Sequence, residues 1–195
     1  MKVTLICHFQ TAASVLMHRL PHSAKPPSRI LPQRGITMIK ILFICHGNIC
    51  RSVSAQYILQ DMVNRENRAE CFVIDSAAAT REEIGNPIYP PMAAEFRKHG
   101  VPIGTHRARQ LTRADYDKWD FIIGMDDENR ADMMQILGGD PEGKIHLLPE
   151  YTERPEHRIE DPWWTGRYGV VFDEIAEGCR GLLESLQKTG KCGNI

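Results

Sequence analysis

No stretch of this 195-residue sequence reaches the roughly 18–20 uninterrupted apolar residues that a membrane helix needs, so no spanning helix is expected. An excess of charge of one sign is missing as well. With 24 Lys and Arg against 25 Asp and Glu, the chain has a net charge of -1 and no electrostatic case for nucleic acid. Cysteine is scarce and unevenly spread, at positions 7, 45, 50, 71, 179 and 192, which excludes a disulfide scaffold and points to a reducing cytoplasm. There is no internal repeat and no low-complexity segment. The 42% hydrophobic and 25% charged residues argue against disorder, collagen and a coiled-coil rod.

One local absence is informative. Residues 1–37 carry five basic side chains and no Asp or Glu, leaving 19 basic against 25 acidic residues over 38–195. Pro21, Pro26, Pro27 and Pro32 prevent a regular helix in the second half of that segment. A secretory signal fits poorly, because the apolar run Val3–Phe9 is interrupted by Cys7 and His8 and no small-residue cleavage site follows. An organellar transit peptide fits the acid-poor composition better. The simplest expectation is a disordered extension or a misassigned translation start, since Met38 directly precedes a buried-strand pattern. The domain is then expected over 38–190, with 191–195 a tail.

From Met38 the pattern alternates between short apolar runs and longer helical stretches. Ile39–Ile44 reads as a strand buried on both faces, followed by a helix over Val53–Asn64. Further strands are expected at Cys71–Ile74, Phe121–Met125 and Lys144–Leu148. Helices are expected at Pro91–His99, at Asp127–Leu137, and over a terminal amphipathic stretch bearing Val171, Ile175, Leu182 and Leu186. Strands and helices in this order imply an α/β fold, with a small four-stranded parallel sheet and helices on both faces. Ligands of such sheets bind beyond the carboxyl ends of the strands, so the loop after the first strand is the first candidate.

That loop is Cys45-His46-Gly47-Asn48-Ile49-Cys50-Arg51-Ser52. Running from a strand end into a helix, it can converge its backbone N–H groups on one point, where the helix adds roughly half a positive charge. This is an anion cradle suited to phosphate. Gly47 supplies turn freedom, and Arg51 a planar guanidinium able to hold two phosphate oxygens. Cys45 stands at its mouth, where amides, dipole and Arg51 favour the thiolate, an activated nucleophile facing a bound phosphoryl group. Simpler readings compete. A cysteine at a strand end is often a small core residue, and Cys45, His46 and Cys50 are all metal-ligand types. No second ligand pair follows downstream, however, so no metal is expected. The whole string Cys-x5-Arg-Ser between strand and helix favours the phosphate reading.

The string Ile41–Ser52 resembles the signature of the low-molecular-weight protein tyrosine phosphatases. The resemblance extends over about Met38 to Gln187 through Val73-Ile74-Asp75-Ser76, His106–Leu111, Met125-Asp126 and Glu160-Asp161-Pro162-Trp163-Trp164. It implies a flavodoxin-like sheet of strand order 2-1-3-4 and hydrolysis of protein phosphotyrosine through a cysteinyl-phosphate intermediate, with no metal or organic cofactor. Cys45 would be the nucleophile, Arg51 the binder of phosphate and transition state, and residues 46–52 the phosphate loop. Asn48, Ser52, Ser76 and His106 would support that loop. The implied partner is a phosphotyrosine-containing protein, with a bacterial tyrosine kinase among the candidates. The chain is expected to work as a monomer or weak dimer.

Expelling a phenolic leaving group needs a proton donor across the cleft. By position, Asp161 serves equally as that acid or as the start of a helical segment, because Asp before Pro is a common turn. The resemblance assigns the acid to this Asp-Pro. Trp163 and Trp164, adjacent in a polar loop, are expected to supply a cleft wall, as are His46 and Glu82. Cys50 resembles the family's second loop cysteine, implying a reversible Cys45–Cys50 disulfide, with simple packing the alternative.

The sequence departs from the family pattern at Val53, where Pro is usual, at Thr80-Arg81-Glu82-Glu83, where an aromatic is common in eukaryotic members, and at His46. Arsenate reductases of similar fold carry two further redox cysteines, but residues 72–178 contain none. Protein arginine phosphatases resemble the loop more closely, with Thr at the position of Ile49. The bulkier Ile49 favours phosphotyrosine. A catalytically silent phosphate-binding module would lack Cys45, Arg51 or Asp161, and all three are present.

Overall fold

The β-branched and aromatic run after Met38 forms strand β1, Ile39–Cys45, in a computed structural model that describes residues 38–188. The expected extension over 1–37 and the tail at 191–195 lie outside the described residues. Strand β2 (Phe72–Ala78) pairs in parallel with β1 from Ile39 opposite Phe72 to Cys45 opposite Ala78. On the other side of β1 lies β3 (Phe121–Gly124), and beyond it β4 (Ile145–Leu147), both parallel. The order is β2-β1-β3-β4, as the resemblance implied.

Strand periodicity divides the core into two layers. Ile41, Phe43 and Cys45 pack with residues of α1 (Arg51–Arg65), α2 (Pro90–His99) and the terminal helix Tyr168–Lys188. Leu42 and Ile44 face the opposite layer, which holds Met133 and Leu137 of α3 (Asp127–Leu137) and Tyr116 and Trp119 around a 3-10 turn at Arg113–Lys118. A one-turn helix, α4 (Pro162–Thr165), precedes the terminal helix, here α5. That helix meets the 3-10 turn Leu148–Tyr151 at backbone distance: a Cβ on Gly181 would lie 1.8 Å from the Tyr151 carbonyl oxygen.

Several boundaries differ from the sequence pattern, each for a physical reason. Helix α1 starts at Arg51 rather than Val53, because Arg51 and Ser52 are buried first-turn residues whose polarity reads as loop. Val53, fully buried in that turn, occupies a position that tolerates Pro and does not require it. Strand β2 runs on past Ile74 because Asp75 and Ser76 satisfy their side chains laterally, on Arg109 and on Gln56. Cys71, expected in β2, instead closes a 3-10 turn at Ala69–Cys71. Met125 lies just beyond β3, Lys144 and Leu148 flank β4, and α2 begins one residue early, at Pro90.

Candidate active site

Between β1 and α1, the loop turns its carbonyls outward. Those of Cys45, His46, Ile49 and Cys50 accept from the backbone N–H groups of Ala79, Thr80, Tyr89 and Ser54 at 2.9–3.1 Å. The carbonyl of Asn48 accepts from His106 Nε2 at 2.7 Å, which fixes the proton on that ring nitrogen. A planar trans peptide holds each carbonyl antiparallel to the next N–H. The N–H groups of His46, Gly47, Ile49, Cys50 and Arg51 therefore point the other way, towards the cleft these residues line. Asn48 makes the bend at φ 56°, a left-handed conformation that Asn tolerates better than most residues. Gly47 contributes differently: a Cβ there would meet Glu83 Cγ at 2.9 Å and push that side chain aside.

Asn48 also organises the side chains beneath the loop. Its amide donates to Ser52 Oγ at 2.9 Å and Ser76 Oγ at 2.8 Å, and its Oδ1 accepts from Arg109 N at 3.2 Å. Ser76 passes its own proton to Gln56 Oε1 at 2.6 Å. Ser52 Oγ, accepting from Asn48, keeps its proton available for Cys45 Sγ at 3.0 Å. Cys45 and Cys50 are both free thiols. They are not equivalent, because burial, reinforced by Cys45 and Asp161, pushes the Cys50 thiol far up and keeps its proton on. Burial also lowers the pKa of His106, so it stays neutral while holding the Asn48 carbonyl.

Arg51 is 2% exposed and binds three partners at once. Its Nη1 donates to Asp126 Oδ2 and, at 3.2 Å, to the Ile159 carbonyl; Nη2 donates to Asp161 Oδ2 at 2.6 Å. Burial opposes the guanidinium charge, but Cys45, Asp161 and Asp126 outweigh it and raise the pKa. Nε is buried without a partner, an unmet donor that an anion in the cradle would satisfy. Asp161 starts a helical segment, as one of its two sequence readings had it: Oδ1 caps α4 by accepting from Trp163 N at 3.0 Å, while Oδ2 accepts from Arg51.

The cleft above this floor has a volume of about 440 Å³. Ile49, His46, Glu82, Trp163 and Trp164 line it, and His46 Nε2 lies 3.1 Å from Glu82 Oε2. Tyr89 braces the Trp163 ring at 5.2 Å between centroids. Gln56 and Glu128 were not singled out from sequence, and Asp126 and Glu83 entered only within the segments Met125-Asp126 and Thr80–Glu83, without a role of their own. Asp126 had a legible signal, since an Asp three residues before Asn129 marks a helix cap, and Asp126 Oδ1 does accept from Asn129 N at 2.8 Å. Its second contact, to Arg51, depends on β3 lying beside β1.

Among known proteins, the sequence model of the family described as low molecular weight phosphotyrosine protein phosphatase matches residues 40–192. The chain belongs to this family. It is 35% identical over 152 residues to the low molecular weight protein-tyrosine-phosphatase YfkJ of Bacillus subtilis, covering 77% of this chain and 97% of that protein. The YfkJ crystal structure superposes with a TM-score of 0.76, covering 80% of this chain and 98% of YfkJ. The human low molecular weight phosphotyrosine protein phosphatase is 34% identical over 148 residues, which cover 74% of this chain and 93% of the human protein. The structure of the Drosophila arginine phosphatase DARP matches with a TM-score of 0.70 at 28% identity, covering 76% of this chain and 98% of DARP. As a member of this family, the chain is a protein-tyrosine phosphatase.

Proposed function

We propose that this phosphatase hydrolyses protein phosphotyrosine with Cys45 as nucleophile, Arg51 as phosphoryl binder, and Asp161 as general acid and then base. The observation that carries the reading is the convergence of Cys45, Arg51 and Asp161 on one cleft, where the buried Arg51 Nε has no partner. The phosphoryl group enters the ring of N–H groups and takes up Arg51, displacing the Asp161 carboxylate from Nη2. Asp161 is then free to take up a proton and hand it to the phenolic oxygen. As the Cys45 thiolate bonds to phosphorus, the P–O bond to tyrosine breaks and the proton from Asp161 leaves with the phenol. The loop amides and Arg51 stabilise the three equatorial oxygens. Asp161 next takes a proton from water, whose oxygen attacks phosphorus, and the Cys45 thiolate departs towards the Ser52 hydroxyl. Asn48, Ser76 and His106 hold the loop shape throughout.

Ile49 lines the cleft and favours a phenyl over the more polar phosphoguanidinium group. The similarity to DARP makes phosphoarginine the control substrate. A reducing compartment such as the cytoplasm suits a thiol nucleophile. Metal-free turnover of phosphotyrosine and phosphoarginine peptides tests the assignment. Phosphotyrosine should be preferred, Cys45→Ser should abolish turnover, and Asp161→Asn should lower kcat about a hundred- to thousandfold. Phosphate binding without turnover of either substrate would refute it.

A further inference from the structure

The charge lining the cleft is unbalanced. Glu82, Glu83, Asp126, Glu128 and Asp161 all line it, whereas Arg51 is its only Lys or Arg among the described residues. Asp126 and Asp161 share the single positive charge of Arg51, whereas the three glutamates pair with no Lys or Arg of the cleft. Glu82 meets the His46 ring, and Glu83 Oε2 accepts from the neutral Asn86 amide at 2.7 Å. Nearby arginines are turned to other partners: Arg81 to Gln110, Arg130 to Glu150, Arg158 to Asp127, and Arg167 to Glu160. Beside these carboxylates stand two open indole faces, Trp163 at 53% and Trp164 at 84% exposure.

The floor and the mouth therefore ask for opposite charges. The unpartnered, buried Nε of Arg51 calls for an anion, while three carboxylates at the entrance repel one. A ligand that satisfies both carries its own cation beside the phosphate. We infer that the cleft selects phosphotyrosine flanked by Lys or Arg, whose side chains pair with Glu82, Glu83 and Glu128 and lie on Trp163 and Trp164. This rests on the phosphatase reading above and specifies its substrate class. Carboxylate and indole together form the usual environment for an ammonium or guanidinium group at a partly exposed site. The net acidity of residues 38–195 acts in the same direction at longer range, drawing basic segments to the domain.

The test uses three otherwise identical phosphotyrosine peptides flanked by Lys, Ala or Glu, with kcat/KM measured for the full chain across ionic strength. An exposed ion pair contributes about two- to fivefold, so two or three pairs should place the Lys peptide about tenfold or more above the Glu peptide at low salt. The Ala peptide should fall between them, and the ratio should shrink as salt rises. Combined Glu82→Gln, Glu83→Gln and Glu128→Gln substitution should collapse the Lys-to-Glu ratio towards one. The ratio is read because it cancels any change in the chemistry shared by the three peptides. If the combined variant does not fold, Glu128→Lys alone should reduce the ratio. Equal turnover of the three peptides by the wild type, or a ratio unchanged in the variants, overturns the inference and leaves the phosphatase reading standing. No turnover of any peptide overturns both.

Discussion

Asn48 is fully buried at the centre of the loop, with a left-handed backbone and a side chain that meets Ser52, Ser76 and Arg109. Replacing it tests the loop apart from the chemistry. Asn48→Ala should cost about 2–4 kcal/mol in urea unfolding, from hydroxyls left short of a donor and from the poorer tolerance of Ala for the left-handed region that Asn48 occupies. Asn48→Gly should recover about 1 kcal/mol of that by removing the backbone part. Gln56 acts one step further back, by accepting the Ser76 proton and so turning the Ser76 lone pairs to Asn48. Gln56→Glu, which keeps an acceptor, should retain most of kcat, whereas Gln56→Leu should lower it several-fold with KM little changed. Equal kcat in the two variants would remove Gln56 from the chain of bonds. Cys45, Arg51 and the loop string were readable because they are contiguous in sequence. Ser76 and His106 were readable only through family resemblance, and Gln56 not at all, since its partner lies 20 residues away on the neighbouring strand.

Among the elements, β1 was legible from its unbroken apolar run, and α2 and α3 from their glycine stops at Gly100 and Gly138, both left-handed in the structure. The missed part of β2 shows where pattern reading runs out. Asp75 and Ser76 look like a strand end, but tertiary hydrogen bonds keep them in the ladder. Helix α4 was hidden because a single turn has no periodicity to read; it exists through its Asp161 cap and Pro162 at the first helical position. The close approach of α5 to the turn at Leu148–Tyr151 was equally invisible. Gly181 reads there as an unhelpful residue in a helix, yet the Tyr151 backbone leaves no room for a Cβ. Gly181→Ala should therefore destabilise by about 3 kcal/mol, although Ala is the better helix former by about 1 kcal/mol. A urea midpoint at or above that of the wild type would contradict the packing described here.

Across the whole molecule, the two-layer arrangement brings the ends of β1 and β3, the segment after β2 and the Asp161 loop to one edge of the sheet, where the cleft opens. The fold class followed from the order of elements, and the strand order from the resemblance. The acidic mouth followed from neither, because its three glutamates come from two separate segments. Protonation links this edge to global stability. Burial holds the His106 pKa below its ordinary value of about 6.5. The unfolded chain therefore binds the proton more readily, and stability present above about pH 6.5 is lost as pH falls towards the folded pKa. Asp115 adds a second, more acidic loss. Burial raises its carboxyl, but hydrogen bonds from Thr112 and the charges of Arg109 and Lys118 outweigh that and lower it. Its contribution is present above about pH 4 and falls away on further acidification. Urea midpoints measured from pH 8 to pH 5 should decline below about pH 6.5, and His106→Asn should flatten that decline. An unchanged slope in the variant would assign the effect elsewhere.

The central claim is that phosphate passes through the sulfur of Cys45. Rapid acid quenching of the Asp161→Asn variant with a phosphotyrosine peptide, followed by mass spectrometry, tests it most directly. Slow protonation and slow hydrolysis should leave a detectable fraction of chains phosphorylated on Cys45, released as inorganic phosphate on longer incubation and absent in Cys45→Ser. Free tyrosine peptide and inorganic phosphate appearing together at every time point, with no phosphate on Cys45 while Cys45→Ser still turns over, would contradict the mechanism.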